Sequence, residues 1–142
     1  MANYYGVFRS NRFHVRDRDR FHAWAETIPD LDVLEEDGRM LLVPSEWSDG
    51  GGLPGLRETG DGEHEGIDFV DELAPHVAPG AVAVLVEAGS SRLRYLTGTA
   101  LAIRGADDPA GWAIERIHLD DIYEKAAAAW GLDQNAIDQA TY

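Results

Sequence analysis

The chain has 142 residues, 44% of them apolar, and sets 26 Asp and Glu against 12 Lys and Arg for a formal charge of −14. One domain is the natural size for this length, and the tryptophans and the run Ala81-Val82-Ala83-Val84-Leu85-Val86 separate it from disordered acidic chains. The lack of cysteine excludes disulfides, thiolate metal ligands and a thiol nucleophile, and so negative a field disfavours nucleic acid and anionic lipid as direct partners.

The opening Met1-Ala2-Asn3-Tyr4-Tyr5 has no basic stretch followed by an apolar one. No apolar run approaches the roughly 20 residues that cross a bilayer, so a soluble, cytoplasmic protein without membrane contact is expected. The first 25 residues are basic, with Arg9, Arg12, Arg16, Arg18 and Arg20 against Asp17 and Asp19. Phe13 and Val15 alternate with Arg12, His14 and Arg16, the period of a half-buried strand whose other face is basic. Asp17 then caps a helix in which Phe21, Trp24, Ala25 and Ile28 fall at i, i+3, i+4 and i+7, and Pro29 ends it. Leu31–Glu36 and Arg39–Val43 flank Asp37-Gly38, a two-residue signal for a type I′ hairpin turn.

Between residues 44 and 66 lie Gly50-Gly51-Gly52, Pro54-Gly55, Gly60, Gly62 and Gly66 with acids among them, which reads as a long, flexible, acidic loop. Asp68 caps a second helix that turns Phe69, Val70, Leu73 and Val77 inward, with Pro75 ending or kinking it. Ala81–Glu87, apolar at nearly every position, suits a central strand covered on both faces. Ser90-Ser91 turns the chain into a strand over Arg92–Arg104, with Leu93, Tyr95, Thr97, Thr99, Leu101 and Ile103 on one face and Gly98 marking a bulge or bend. Trp112 and Ile114, with Ile117 and Leu119 beyond, form another strand. Asp121-Ile122-Tyr123-Glu124 has capping-box spacing with Asp121 as the cap, and Gly131 closes the helix.

The element order β-α-β-β-α-β-β-β-α implies a single α+β domain spanning residues 1–142. The expected fold is an antiparallel sheet with helices on one face, a ferredoxin-like β-α-β-β-α-β core extended by a β-hairpin and a C-terminal helix.

Residues that could carry chemistry are sparse. His14, His22, His64, His76 and His118 have no metal-binding spacing, and Asp61-Gly62-Glu63-His64-Glu65 reads as a solvated loop rather than a cation site. No cofactor and no metal are therefore expected. Glu35-Glu36 and Asp71-Glu72 read as solvated pairs, whereas Glu87 ends an apolar strand and is a candidate for partial burial or for pairing with Arg92 or Arg94. None of Ser10, Ser45, Ser48, Ser90 or Ser91 sits in a Gly-x-Ser-x-Gly motif, and the glycines of 50–55 lack the Lys and following helix of a phosphate loop. The N-terminal arginines, with Tyr4, Tyr5, Phe8 and Phe13, admit two readings: an anion or RNA patch, or a counter-surface pairing with the acidic segment. The overall charge favours the second.

The charge itself is segregated. Residues 26–72 hold fifteen carboxylates against Arg39 and Arg57, a local charge of −13. One reading is a solubilising surface. The sharper one is that Glu58, Asp61, Glu63, Glu65, Asp68, Asp71 and Glu72, with Glu35, Glu36, Asp37 and Glu46, form a patch that engages a basic protein groove and copies the charge of a phosphate backbone.

In size, charge, lack of cysteine and general pattern, including Ser10-Asn11-Arg12-Phe13-His14-Val15-Arg16-Asp17 and Leu119-Asp120-Asp121-Ile122-Tyr123-Glu124, the chain resembles small acidic proteins of phages and mobile elements. Among these are anti-CRISPR and other DNA-mimic inhibitors of host defence. The resemblance matches no functional motif and lends no residue a role. With the segregated charge it points to a non-enzymatic inhibitor whose partner is a basic nucleic-acid-binding protein or complex, and an edge strand in the final hairpin leaves both a monomer and a symmetric homodimer open. An immunity or regulatory module binding one protein, such as a basic toxin, is the alternative. A small enzyme working through carboxylates is the third reading, and it requires a pocket with a buried acid.

Overall fold

The computed structural model describes residues 4–45, 52–91, 95–138 and 140. Among them run β1 (Tyr4–Ser10), α1 (Arg18–Ala25), β2 (Leu31–Glu36), β3 (Arg39–Pro44), β4 (Leu56–Gly60), β5 (Glu63–Gly66), α2 (Phe69–Leu73), β6 (Val82–Ser91), β7 (Tyr95–Arg104), β8 (Ala113–His118) and α3 (Asp121–Trp130). Short 3-10 turns at Ala74–His76 and Gln134–Ala136 follow α2 and α3. The protein is α+β, with a four-stranded antiparallel sheet in the order β1-β6-β7-β8 and two separate hairpins, β2-β3 and β4-β5.

One face of the four-stranded sheet makes the core. Phe8, Ala83, Leu85, Leu101 and Ile103 alternate along their strands toward that face and are buried. Against them pack Phe21, Ala25 and Ile28 from α1 and the residues after it, Leu31, Met40 and Leu42 from the first hairpin, and Phe69, Leu73, Ala74 and Val77 from α2 and its 3-10 turn. Each of these large apolar side chains contributes about 1.5–3 kcal/mol by leaving water. Ser10 ties the layers together: its buried hydroxyl accepts from the Leu42 N–H at 2.7 Å and donates to the Asn11 carbonyl.

Local structure follows the local signals. The Asp17 carboxylate accepts from Arg20 N–H and caps α1, and Asp68 does the same for α2 through Asp71 N–H. Asp37 and Gly38 have φ of 53° and 75°, as a type I′ turn requires. Pro75 lies in the tighter 3-10 turn that replaces further α-helix after Leu73. Gly131 adopts φ 66° and closes α3.

The ferredoxin-like order is not shown. The β2-β3 hairpin stays outside the main sheet, and β1 pairs directly with β6. Phe13 and Val15 form isolated bridges to Met40 and Val77 instead of a strand, because the first strand lies earlier, at Tyr4–Ser10. The 44–66 loop contains a hairpin: Arg57 pairs with Glu65 and Glu58 with His64 across the Asp61-Gly62 turn. Its strands expose nearly every residue, so no apolar alternation marks them in the sequence. Asp120, not Asp121, occupies the α3 cap position, and the Asp121 carboxylate instead accepts from His118 N–H at 2.8 Å. Nor is β6 covered on both faces. Ala83 and Leu85 are buried, while Val82 and Val86 are 42% and 49% exposed on the outer side. No helix of the described residues is long and apolar enough to cross a membrane.

Candidate protein-binding surface

The acidic residues fall into two groups at opposite ends of α1. Helix α1 starts beside the tip of the first hairpin, where Arg18 Nε donates to Glu35 Oε1 at 2.7 Å and Arg12 Nε to Glu36 Oε2 at 3.1 Å. His22 Nε2 lies 3.9 Å from the same Glu35 oxygen. The hydrogen bond from Arg18 holds the Glu35 carboxyl below its ordinary range, and the same contact raises the Arg18 guanidinium. Of the N-terminal arginines, Arg12 and Arg18 thus serve as a counter-surface to this part of the acidic segment. Glu35 and Glu36 are balanced within the molecule, and Asp37 sits exposed on the turn between them and Arg39.

The second group gathers where α1 ends. Glu58 N–H donates to the Thr27 carbonyl and seats the β4-β5 hairpin there, and Ile67 N–H donates to Gly55 O at the base of the hairpin. Arg57 is the organiser: Nε donates to Thr27 Oγ1 at 3.3 Å, Nη1 to Glu65 Oε1 at 3.0 Å, and Nη2 pairs with Glu72 on α2. Glu72 also accepts from Trp24 Nε1 at 3.0 Å, and the Trp24 indole stacks on Phe69 with 5.6 Å between centroids. The Arg57 guanidinium therefore joins the hairpin to α2, and the Trp24 indole joins α2 to α1. Residues 56–72 carry seven acids and one arginine, a net −6. Glu58, Asp61, Glu63, Glu65, Asp68 and Asp71 are all exposed, with Glu72 half-buried beneath them.

Arg57 brings Glu65 and Glu72 together, while the register sets Glu58 beside His64 on the other face of the hairpin, and Glu35, Glu36 and Asp37 lie apart at the tip of the first hairpin. Glu46 lies outside the described residues, as do Arg92 and Arg94. Glu87 faces the interior and is half-buried, and its Oε2 accepts from Leu53 N–H at 2.6 Å. Two features that bind the site together went unread in the sequence, the β4-β5 hairpin and the Arg57 bridge. Asp61-Gly62 was the available signal, the same dipeptide that marks the first hairpin.

The basic arm has a second side. Arg16, Asp17, Arg20, Trp24, Glu72 and His76 line a cleft of about 260 Å³. Arg16 is committed there, donating to the carbonyls of Pro75, Ala106 and Asp107. His76 stacks on Trp24 at 5.0 Å, and partial burial holds its imidazole below the ordinary range, helped by the Arg20 charge and opposed by Asp17. Among the described residues no three His, Asp or Glu side chains converge as a metal site would require.

These features define an α+β protein whose β4-β5 hairpin and Asp68-capped α2 carry seven carboxylates, six of them exposed. No family model, no curated protein and no solved structure matches the chain.

Proposed function

We propose that the protein is a non-enzymatic, acidic binding module whose β4-β5 and α2 surface occupies a basic groove of a nucleic-acid-binding complex of host defence, of the CRISPR-effector kind. The observation that carries this reading is the placement of seven carboxylates on two adjacent elements with Arg57 as their sole basic neighbour in that segment. Carboxylates spread over a hairpin and a helix present repeated negative charge to a groove that otherwise holds phosphates, and the long-range field raises the rate of encounter. The hairpin tip at Glu35, Glu36 and Asp37 takes a lesser part, because Arg12 and Arg18 already neutralise two of its three acids.

The test is binding to purified CRISPR effector complexes at rising ionic strength, with the wild type and with Glu58, Glu63 and Asp71 changed to Lys. Binding that weakens with salt and is lost in the charge-reversed protein supports the reading. Binding indifferent to both, or no binding by the wild type, removes it.

A further inference from the structure

The outer face of the main sheet is open, and it is apolar. Val7 on β1, Val82 and Val86 on β6, Leu96 on β7 and Ile117 on β8 expose between 42% and 71% of their surface. The register places them together: Val7 opposite Ala88, Val86 opposite Ala100, and Ala100 opposite Ile117. Leu119 folds over this face, so close to Gly98 that an added Cβ would lie 2.7 Å from its Cγ. The chain then enters α3 on that side of the sheet.

Helix α3 is also largely open among the described residues, with Ala127 its one buried residue. Ile122, Ala126, Ala129 and Trp130 fall at i, i+4, i+7 and i+8, one stripe of the helix. Ile122 is 59% and Trp130 72% exposed, and the neighbour α3 packs with most is the 3-10 turn that follows it. Among the described residues, nine of the eleven exposed large apolar side chains belong to this sheet face and to the segment from Leu119 to Leu132.

Charge selects the occupant. The open face carries Arg9, Arg104 and Glu115, of which the two arginines form no ion pair among the described residues, while α3 opens with Asp120, Asp121 and Glu124 ahead of Lys125. A helix with one apolar stripe and an acidic first turn complements that face, and every copy of the chain supplies one. We infer that the protein forms a two-fold symmetric dimer in which the α3 helix of each copy lies across the outer sheet face of the other. The two contacts are identical by symmetry, so the interface closes and does not polymerise. The acidic hairpin and α2 lie on the opposite side of the sheet and stay free.

Sedimentation velocity of the full chain, at concentrations up to roughly 100 µM, measures the state directly, and a mass of two chains is expected. Val86→Glu on the sheet and Trp130→Glu on the helix, both at exposed positions, should each halve the mass with unchanged circular dichroism; Ile122→Glu repeats the helix test if either misfolds. Mixing the V86E and W130E proteins should restore a dimer, because one intact helix-on-sheet contact re-forms in the mixed pair. A single-chain mass for the wild type overturns the inference and leaves the face to a different partner. A dimer indifferent to these substitutions, or one lost in both variants without recovery on mixing, also overturns it.

Discussion

Two side chains carry more of the fold than their size suggests. Ser10 is 5% exposed, and its hydroxyl is the partner of the Leu42 N–H that joins β1 to the first hairpin. Ser10→Ala leaves that N–H unsatisfied in a buried setting and should cost about 1–3 kcal/mol in urea unfolding, where Ser10→Thr should cost less if the added methyl is accommodated. His76 makes stability depend on pH. Its folded pKa lies below the ordinary 6.5, so the unfolded chain binds the proton more readily, and stability is lost as pH falls through the interval below 6.5. Glu35, held below 4.5 by Arg18, adds a loss in a lower and separate range, as pH falls beneath 4.5. Urea midpoints measured between pH 7.5 and 5 should fall less in H76Q than in the wild type. Equal slopes would remove His76 from the account.

At the scale of elements, the first hairpin depends on a turn whose two residues both take positive φ. Gly38→Ala, at φ 75°, meets no neighbouring atoms but places a side chain in the left-handed region, at a cost of about 1 kcal/mol by thermal unfolding. The caps Asp17 and Asp68, the Asp37-Gly38 turn and the apolar spacing of α1 were legible because each is a local signal whose physics is complete within a few residues. Sheet order was not legible. The Asp37-Gly38 turn marks β2 and β3 as a hairpin, yet it is silent on whether they join β1 or cover it. The β4-β5 hairpin escaped for a different reason: its residues are polar on both faces, so the alternating pattern that reveals strands is missing. The site was legible in part. The acids of residues 58–72 are close in the chain, whereas the meeting of Glu65 and Glu72 on Arg57 depended on where the β4-β5 hairpin and α2 meet, and the neutralisation of Glu35 and Glu36 on where α1 and the first hairpin meet.

The whole molecule is polarised about its main sheet. One side holds the core, covered by α1, α2 and the acidic hairpins; the other is largely apolar and carries Arg9, Arg104 and Glu115. Segregation of this kind separates two tasks, since a surface that attracts basic grooves is ill suited to hold a second chain of charge −14. The central claim is that the carboxylates of residues 58–72 take the place of phosphates on a basic partner. Displacement of labelled duplex DNA from a purified CRISPR effector complex tests it most directly. The wild type should release the DNA, and should require about ten-fold more protein or greater once salt screens the field or once Glu58, Glu63 and Asp71 are reversed to Lys. DNA that stays bound at saturating protein, or release unchanged by the reversal, would contradict the account.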